Sequence, residues 1–224
     1  MSIRADSILQ MVRKLATTYE EIVAEGQPDK RATLEQIDQA LADAFRSRPE
    51  TLHMQVDHGI DEIDERLAAE VGRLLILRAR VADELGNAEL SDTSLEFACR
   101  SLLEAAELSF HGAADEETTP LDLLRDVARS DRAADVMTPD EIAEIWRVAF
   151  RIEADRQHFP AAEDALFHAL ELTSNPGEIV EAGIAFYERL RELPDEVLER
   201  RGLPRQEVEA ALEELTDRSH QPPD

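Results

Sequence analysis

The sequence predicts an all-α protein built as a right-handed stack of antiparallel helix pairs. Three observations carry this expectation. Prolines stand where helices begin, apolar residues recur at three-to-four spacing, and no segment shows the β-branched alternation of a strand. Proline suits the first helical position because its missing N–H has no intrahelical partner there. "TPDE" puts Thr138 at the N-cap, Pro139 at N1 and Glu141 at N3, the pattern of a capping box. "TPLD" repeats it with Thr119, Pro120 and Asp122, and "NPGE" with Asn175, Pro176 and Glu178. Pro49, Pro160, Pro194 and Pro204 also precede acidic or helix-forming turns, so seven of the ten prolines mark helix starts.

Apolar spacing between these marks predicts the elements in order. Residues 5–25 carry Ile8, Met11, Val12, Leu15, Tyr19 and Ile22, and residues 32–46 carry Leu34, Ile37, Leu41, Ala44 and Phe45. After a short turn at Pro49, a long helix carries Ile60, Ile63, Leu67, Val71, Leu74, Leu75 and Val81 and ends near Gly86. Residues 93–110 carry Leu95, Ala98, Leu102, Ala105 and Leu108, and "HGAADEETT" is a polar loop. A minor helix at 120–130 follows, then helices at 139–157, 160–172, 176–192, 195–201 and 204–217. The expected organisation is an N-terminal helix pair at 1–46 packed on the stack, a helical domain at 49–217, and a disordered tail at 218–224. The core is expected around Trp146, Phe150, Leu166, Phe167, Phe186 and Tyr187.

Composition bounds the setting. Aromatics make up only 4% of the chain, so packing must rest on Leu, Ile, Val and Ala. Single Cys99 excludes an internal disulfide, and its place on an apolar stripe reads as a buried small hydrophobe. The opening "MSIRADSILQMVRKLA" has charges inside its apolar stretch, unlike a signal peptide, and no run reaches the roughly 20 apolar residues of a membrane span. The expectation is a cytoplasmic protein with no membrane contact.

Asp and Glu total 50 against 24 Lys and Arg, a net charge of −26. Such a surface repels phosphate backbones and argues against a nucleic-acid partner. Lys14 and Lys30 are the only lysines. A GC-rich genome explains the arginine preference but leaves the acidity unexplained. Self-repulsion is relieved when the screening length falls to about 3 Å at molar salt, so the acid excess points to a halophilic host.

The sequence contains no phosphate-binding glycine loop, nucleophile elbow, cysteine pair or His-Glu-x-x-His motif. The densest polar cluster is "HMQVDHGIDEIDE", where His53 and Asp57, and likewise His58 and Glu62, are spaced to face one ion. A metal site needs three or four ligands and supporting contacts. The plainer reading is acids favouring the dipole of a helix beginning near Gly59. His158 and His168 read as a turn residue and a partly exposed helix residue.

Helices of this length joined by short turns form hairpins, each of which leaves an apolar face for the next. From Ala143, the chain resembles a degenerate tetratricopeptide repeat: Trp146 stands fourth, Phe159 seventeenth, Ala162 twentieth, Leu166 twenty-fourth and Ala169 twenty-seventh. Phe150 replaces the usual glycine, and the closing proline arrives late, at Pro176. A second copy is expected from Ala79, with Leu85 and Gly86 at its seventh and eighth places, although Gly86-Asn87 also reads as a simple helix cap. Residues 162–209 and the opening "SILQMVRKLA" further resemble an uncharacterised bacterial family, tetratricopeptide-like and without assigned activity.

The resemblance implies that the first helix of each hairpin faces a ligand groove. On the copy from Ala143 this presents Glu144, Arg147, Arg151, Ala154 and Asp155; on the earlier copy, Arg80 and Asp83. Two arginines a turn apart suit a carboxylate clamp, while the plainer reading is a ladder of Glu144–Arg147 and Arg151–Asp155 pairs along one helix. The expected function is a non-catalytic scaffold, free of cofactors, binding a peptide or protein partner through Glu144, Arg147, Arg151 and Asp155. The alternatives are a metal-dependent hydrolase using His53, Asp57 and His58, and a structural protein that forms a homodimer through "SILQMVRKLATTYEEI".

Overall fold

A computed structural model describes Gln10 and residues 29–45, 65–109 and 119–220. The described residues form helices and no strand, as the spacing predicts. The chain divides into two compact units, Met1–Val136 and Met137–Asp224, a boundary that falls inside the stretch 49–217 expected as one domain. The expected helix at 5–25, the turn at Pro49 and the 53–65 cluster lie outside the described residues, apart from Gln10, which is helical, and the backbone of Glu65.

The first unit contains α1 (Lys30–Ala44), α2 (Glu65–Glu84), α3 (Ala88–Ser109), α4 (Pro120–Ala128) and α5 (Asp131–Val136). Asp29 caps α1 by accepting from the N–H groups of Arg31 and Ala32 at 3.1 and 3.3 Å. Gly86 ends α2 at φ +74°; its N–H reaches Asp83 O, and Asn87 N–H reaches Ala82 O. This is a Schellman cap, which a residue with a Cβ closes only at a cost. The cap also falls at the seventh and eighth places of the repeat expected from Ala79, where a tetratricopeptide helix must continue, so that register is not kept.

Helix α3 begins at Ala88 rather than the expected 93. Asn87 Oδ1 caps Leu90 N–H at 3.2 Å. The turn-like "SDTS" is helical, and within it Thr93 and Ser94 donate their hydroxyl protons to carbonyls one turn back, Glu89 O at 2.9 Å and Leu90 O at 2.6 Å. The short α5, which the apolar spacing does not reveal, starts where Ser130 Oγ accepts from Ala133 N–H at 3.2 Å.

Ile37, Ala40 and Leu41 of α1 pack on Val71, Leu74, Leu75 and Val81 of α2, with Phe97 and Ala98 of α3 completing the cluster. Helices α2 and α3, joined by three residues, form an antiparallel pair. They cross closely at Gly72, where a Cβ would lie 2.5 Å from Leu102 Cγ. Arg78 ties three helices together: its Nε donates to Asp38 Oδ1 at 2.7 Å and its Nη1 to Ser94 Oγ at 3.2 Å. Cys99 is buried, as expected.

The second unit contains α6 (Pro139–Asp155), α7 (Phe159–Leu172), α8 (Gly177–Arg191), α9 (Asp195–Arg200) and α10 (Arg205–Ser219). Helix α10 thus runs into the expected tail. Both Thr-Pro capping boxes form, at Thr119–Asp122 and Thr138–Glu141. The third does not. Pro176 is itself the N-cap of α8, in αR geometry and with no side-chain cap, and Glu178 turns to Arg147 instead. Pro194 and Pro204 are likewise N-caps, Pro194 directly before the expected start at 195 and Pro204 one position earlier than its expected place, and Pro160 is the second residue of α7.

Helices α6 and α7 pair across a three-residue turn, and α8 pairs with α10. Trp146, Phe150, Leu166, Phe186 and Tyr187 are buried as expected, whereas Phe167 is only partly covered. Phe186 meets Phe150, Phe159 and Tyr187 edge-on, with centroids 5.4, 6.2 and 5.0 Å away. Ala162 and Ala169 are fully buried, while Gly183 allows the tightest approach, its absent Cβ leaving room for Leu166 and Leu215.

Candidate functional site

The second unit brings the predicted partner-binding residues onto one face of α6. The capping box at Thr138 sets the start and rotation of this helix. Ile142, Ile145, Trp146, Ala149 and Ile152 occupy its buried side, which leaves Glu144, Arg147, Arg151 and Asp155, spaced by three or four, on the outer side. Arg147 Nη2 lies 2.5 Å from Glu144 Oε2, and its Nη1 lies 3.4 Å from Glu178 Oε2 at the start of α8. The Glu144–Arg147 rung of the expected ladder is therefore present, and Arg147 is shared with a second carboxylate that the spacing within α6 does not reveal. Arg151 and Asp155 stand exposed one turn further on.

Asp140, also on α6, anchors the end of α7. Its Oδ1 accepts from Ser174 N–H at 2.8 Å and from the Thr173 hydroxyl at 3.3 Å, and its Oδ2 accepts from the Ser174 hydroxyl at 2.8 Å. The Ser174 backbone bond, with help from the two hydroxyls, holds the Asp140 carboxyl below its ordinary value. His168 stacks on Trp146, with ring centroids 4.5 Å apart, and His158 Nδ1 lies 2.8 Å from the buried Glu153 carboxylate. Both histidines thus have structural contacts, one on the core and one at the turn.

In the first unit, a cavity of about 280 Å³ opens between α2, α3 and α4. Ile76, Ala79, Arg80 and Asp83 line it from α2, at the i, i+3, i+4, i+7 spacing of one helix stripe. Leu123, Asp126, Val127 and Ser130 present the same spacing from α4 and its end, and Ser91, Leu95 and Arg132 complete the wall. Arg132 is held by Asp92 at 2.5 Å and Asp83 at 3.8 Å. Arg80 and Asp83 are expected at a ligand groove only through a repeat register the structure does not keep. The matching stripe on α4 is the feature of the sequence that marks the cavity.

His53, Asp57, His58 and Glu62 of the alternative metal site, and the N-terminal segment of the alternative dimer, lie outside the described residues, except for Gln10. Among the described residues, no three His, Cys, Asp or Glu side chains gather to hold a metal ion, and no helix is long and apolar enough to cross a membrane.

No curated protein and no solved structure matches the chain. A family model matches residues 2–220, nearly the whole length. The protein belongs to that family, a family of unknown function (DUF6483).

Proposed function

We propose that the chain is a non-catalytic helical scaffold that binds a peptide or protein partner along α6. The observation that carries this reading is the position of Arg147, held between Glu144 and Glu178 on an accessible face. Exposed ion pairs contribute about 0–1 kcal/mol, so a partner's carboxylate can displace either glutamate at little net cost. The planar guanidinium then offers it a bidentate seat. A tetratricopeptide-like right-handed stacking of the hairpins belongs to the same proposal, since it would turn the outer side of α6 towards a groove. So does a saline cytoplasm, for which the net charge of −26 is the support.

The test places a photo-crosslinking residue at position 151 of the full chain and irradiates an extract of the producing cells at their own salt concentration. A discrete adduct that Arg147→Glu suppresses is the expected result. Adducts indifferent to Arg147→Glu would remove α6 as the binding face.

A further inference from the structure

We propose that the cavity of the first unit is a binding site for a small aliphatic α-amino acid, bound as its zwitterion. The inference is independent of the partner face on α6. The lining carries two guanidiniums, Arg80 and Arg132, and two carboxylates, Asp83 and Asp126, so it is locally neutral in a chain of net charge −26. Arg132 is engaged through its Nη2 with Asp92 at 2.5 Å and Asp83 at 3.8 Å. Arg80 and Asp126 are exposed and make no ion pair among the described residues. One cation and one anion beside an apolar floor of Ile76, Leu95 and Leu123 are complementary to a ligand with a carboxylate, an ammonium and a short hydrocarbon side chain.

Arg132 supplies a separate indication. It lines the cavity, and its buried Nε has no hydrogen-bond partner among the described residues. A buried N–H is normally paired, and a ligand's carboxylate supplies the missing acceptor. The volume of about 280 Å³ lies just under the range of about 300–1,000 Å³ found for drug-sized ligands. That suits a single amino acid better than an extended peptide.

Calorimetric titration of the full chain with L-leucine tests the site. Saturable one-to-one binding is expected, at least about tenfold weaker for N-acetyl-L-leucine, which lacks the ammonium, and for 3-methylbutylamine, which lacks the carboxylate. Arg80→Gln and Asp126→Asn should each weaken leucine binding by about the same factor, with helical circular dichroism unchanged because both residues are exposed. No saturation by about 10 mM leucine would overturn the proposal. So would binding that ignores Arg80→Gln, or that the two truncated ligands match. Crosslinking at position 151 is read separately, so either proposal can fail without the other.

Discussion

The phenol of Tyr187, fully buried on α8, donates a 2.6 Å hydrogen bond to Glu163 Oε1 on α7. It is the polar tip of an aromatic cluster, and it places a carboxylate against the core. Burial pushes the Glu163 carboxyl up, the Tyr187 bond opposes this, and the charges of Glu207 and Asp164 add to the rise. Burial and Glu163 together push the Tyr187 phenol well above its ordinary value, so it stays a donor across the working range.

Folded Glu163 holds its proton to a higher pH than the unfolded chain, where 4.5 applies. Its contribution to stability is therefore full below pH 4.5 and is lost as the pH rises through the folded value. Glu163→Gln keeps the acceptor for Tyr187 and should abolish this loss, giving a flatter stability curve measured by urea unfolding. Tyr187→Phe should cost roughly 1 kcal/mol and move the Glu163 titration upward in carboxyl NMR. A downward move would contradict the arrangement.

Asp140 should behave in the opposite sense. Its folded value is depressed, so its contribution is present above 3.8 and lost as the pH falls through the folded value. Asp140→Ala should lower the melting temperature at neutral pH, with the gap to the parent closing in strong acid. A gap that persists at low pH would mean that the carboxylate's bonds to Ser174 are not its source.

Gln157 ends α6 at φ +60°, where glycine is the usual occupant. Its side chain accepts from Arg201 Nη2 at 3.0 Å, an exposed bond that offsets part of the strain. Gln157→Gly should raise stability by roughly 0.5–1 kcal/mol in denaturant melts. Gly86→Ala should lower it by a similar amount, although open space surrounds the site, because the φ of +74° alone opposes a Cβ.

At Gly183 the obstacle is space. An added Cβ would lie 2.8 Å from Leu215 Cδ1 and 2.9 Å from Leu166 Cδ2. Gly183→Ala should cost about 1–3 kcal/mol through overpacking. Trp146→Ala, which removes a ring only 2% exposed, should cost about 3–5 kcal/mol. Equal stability of either variant and the parent would refute the packing described for the second unit.

Salt should stabilise the protein steeply. The screening length falls from about 10 Å at 0.1 M to about 3 Å at 1 M, which removes most of the repulsion among exposed carboxylates. Melting temperatures measured from about 0.1 M to about 2 M potassium chloride should therefore rise. A flat series would remove the halophilic reading.

Much of the helical content was legible in the sequence because its signals are local. A Thr followed by Pro and then an acid three residues on satisfies the first turn from within itself, so the boxes at Thr119 and Thr138 are written in four residues each. Gly86 was readable as a cap for the same reason: only its own backbone decides the matter. Pro176 failed as an N1 residue because proline tolerates the N-cap as well, and which position it takes depends on where α8 must pack.

Tertiary structure decided what depends on neighbours distant in sequence. Nothing near Arg147 announces Glu178, nothing near Tyr187 announces Glu163, and Arg78 gathers α1 and α3 across 40 and 16 residues. The cavity beside Arg80 arises because a stripe on α4 faces a stripe on α2, and each stripe alone reads as an ordinary amphipathic helix. Helix propensity, capping and apolar period act within a turn or two, so the sequence by itself determined most of the described helices and most of their buried residues, but not the short α5 or the first turn of α3. Which faces meet is settled by side-chain volume at crossings such as Gly72–Leu102 and Gly183–Leu215, where complementarity exists only once both helices are in place.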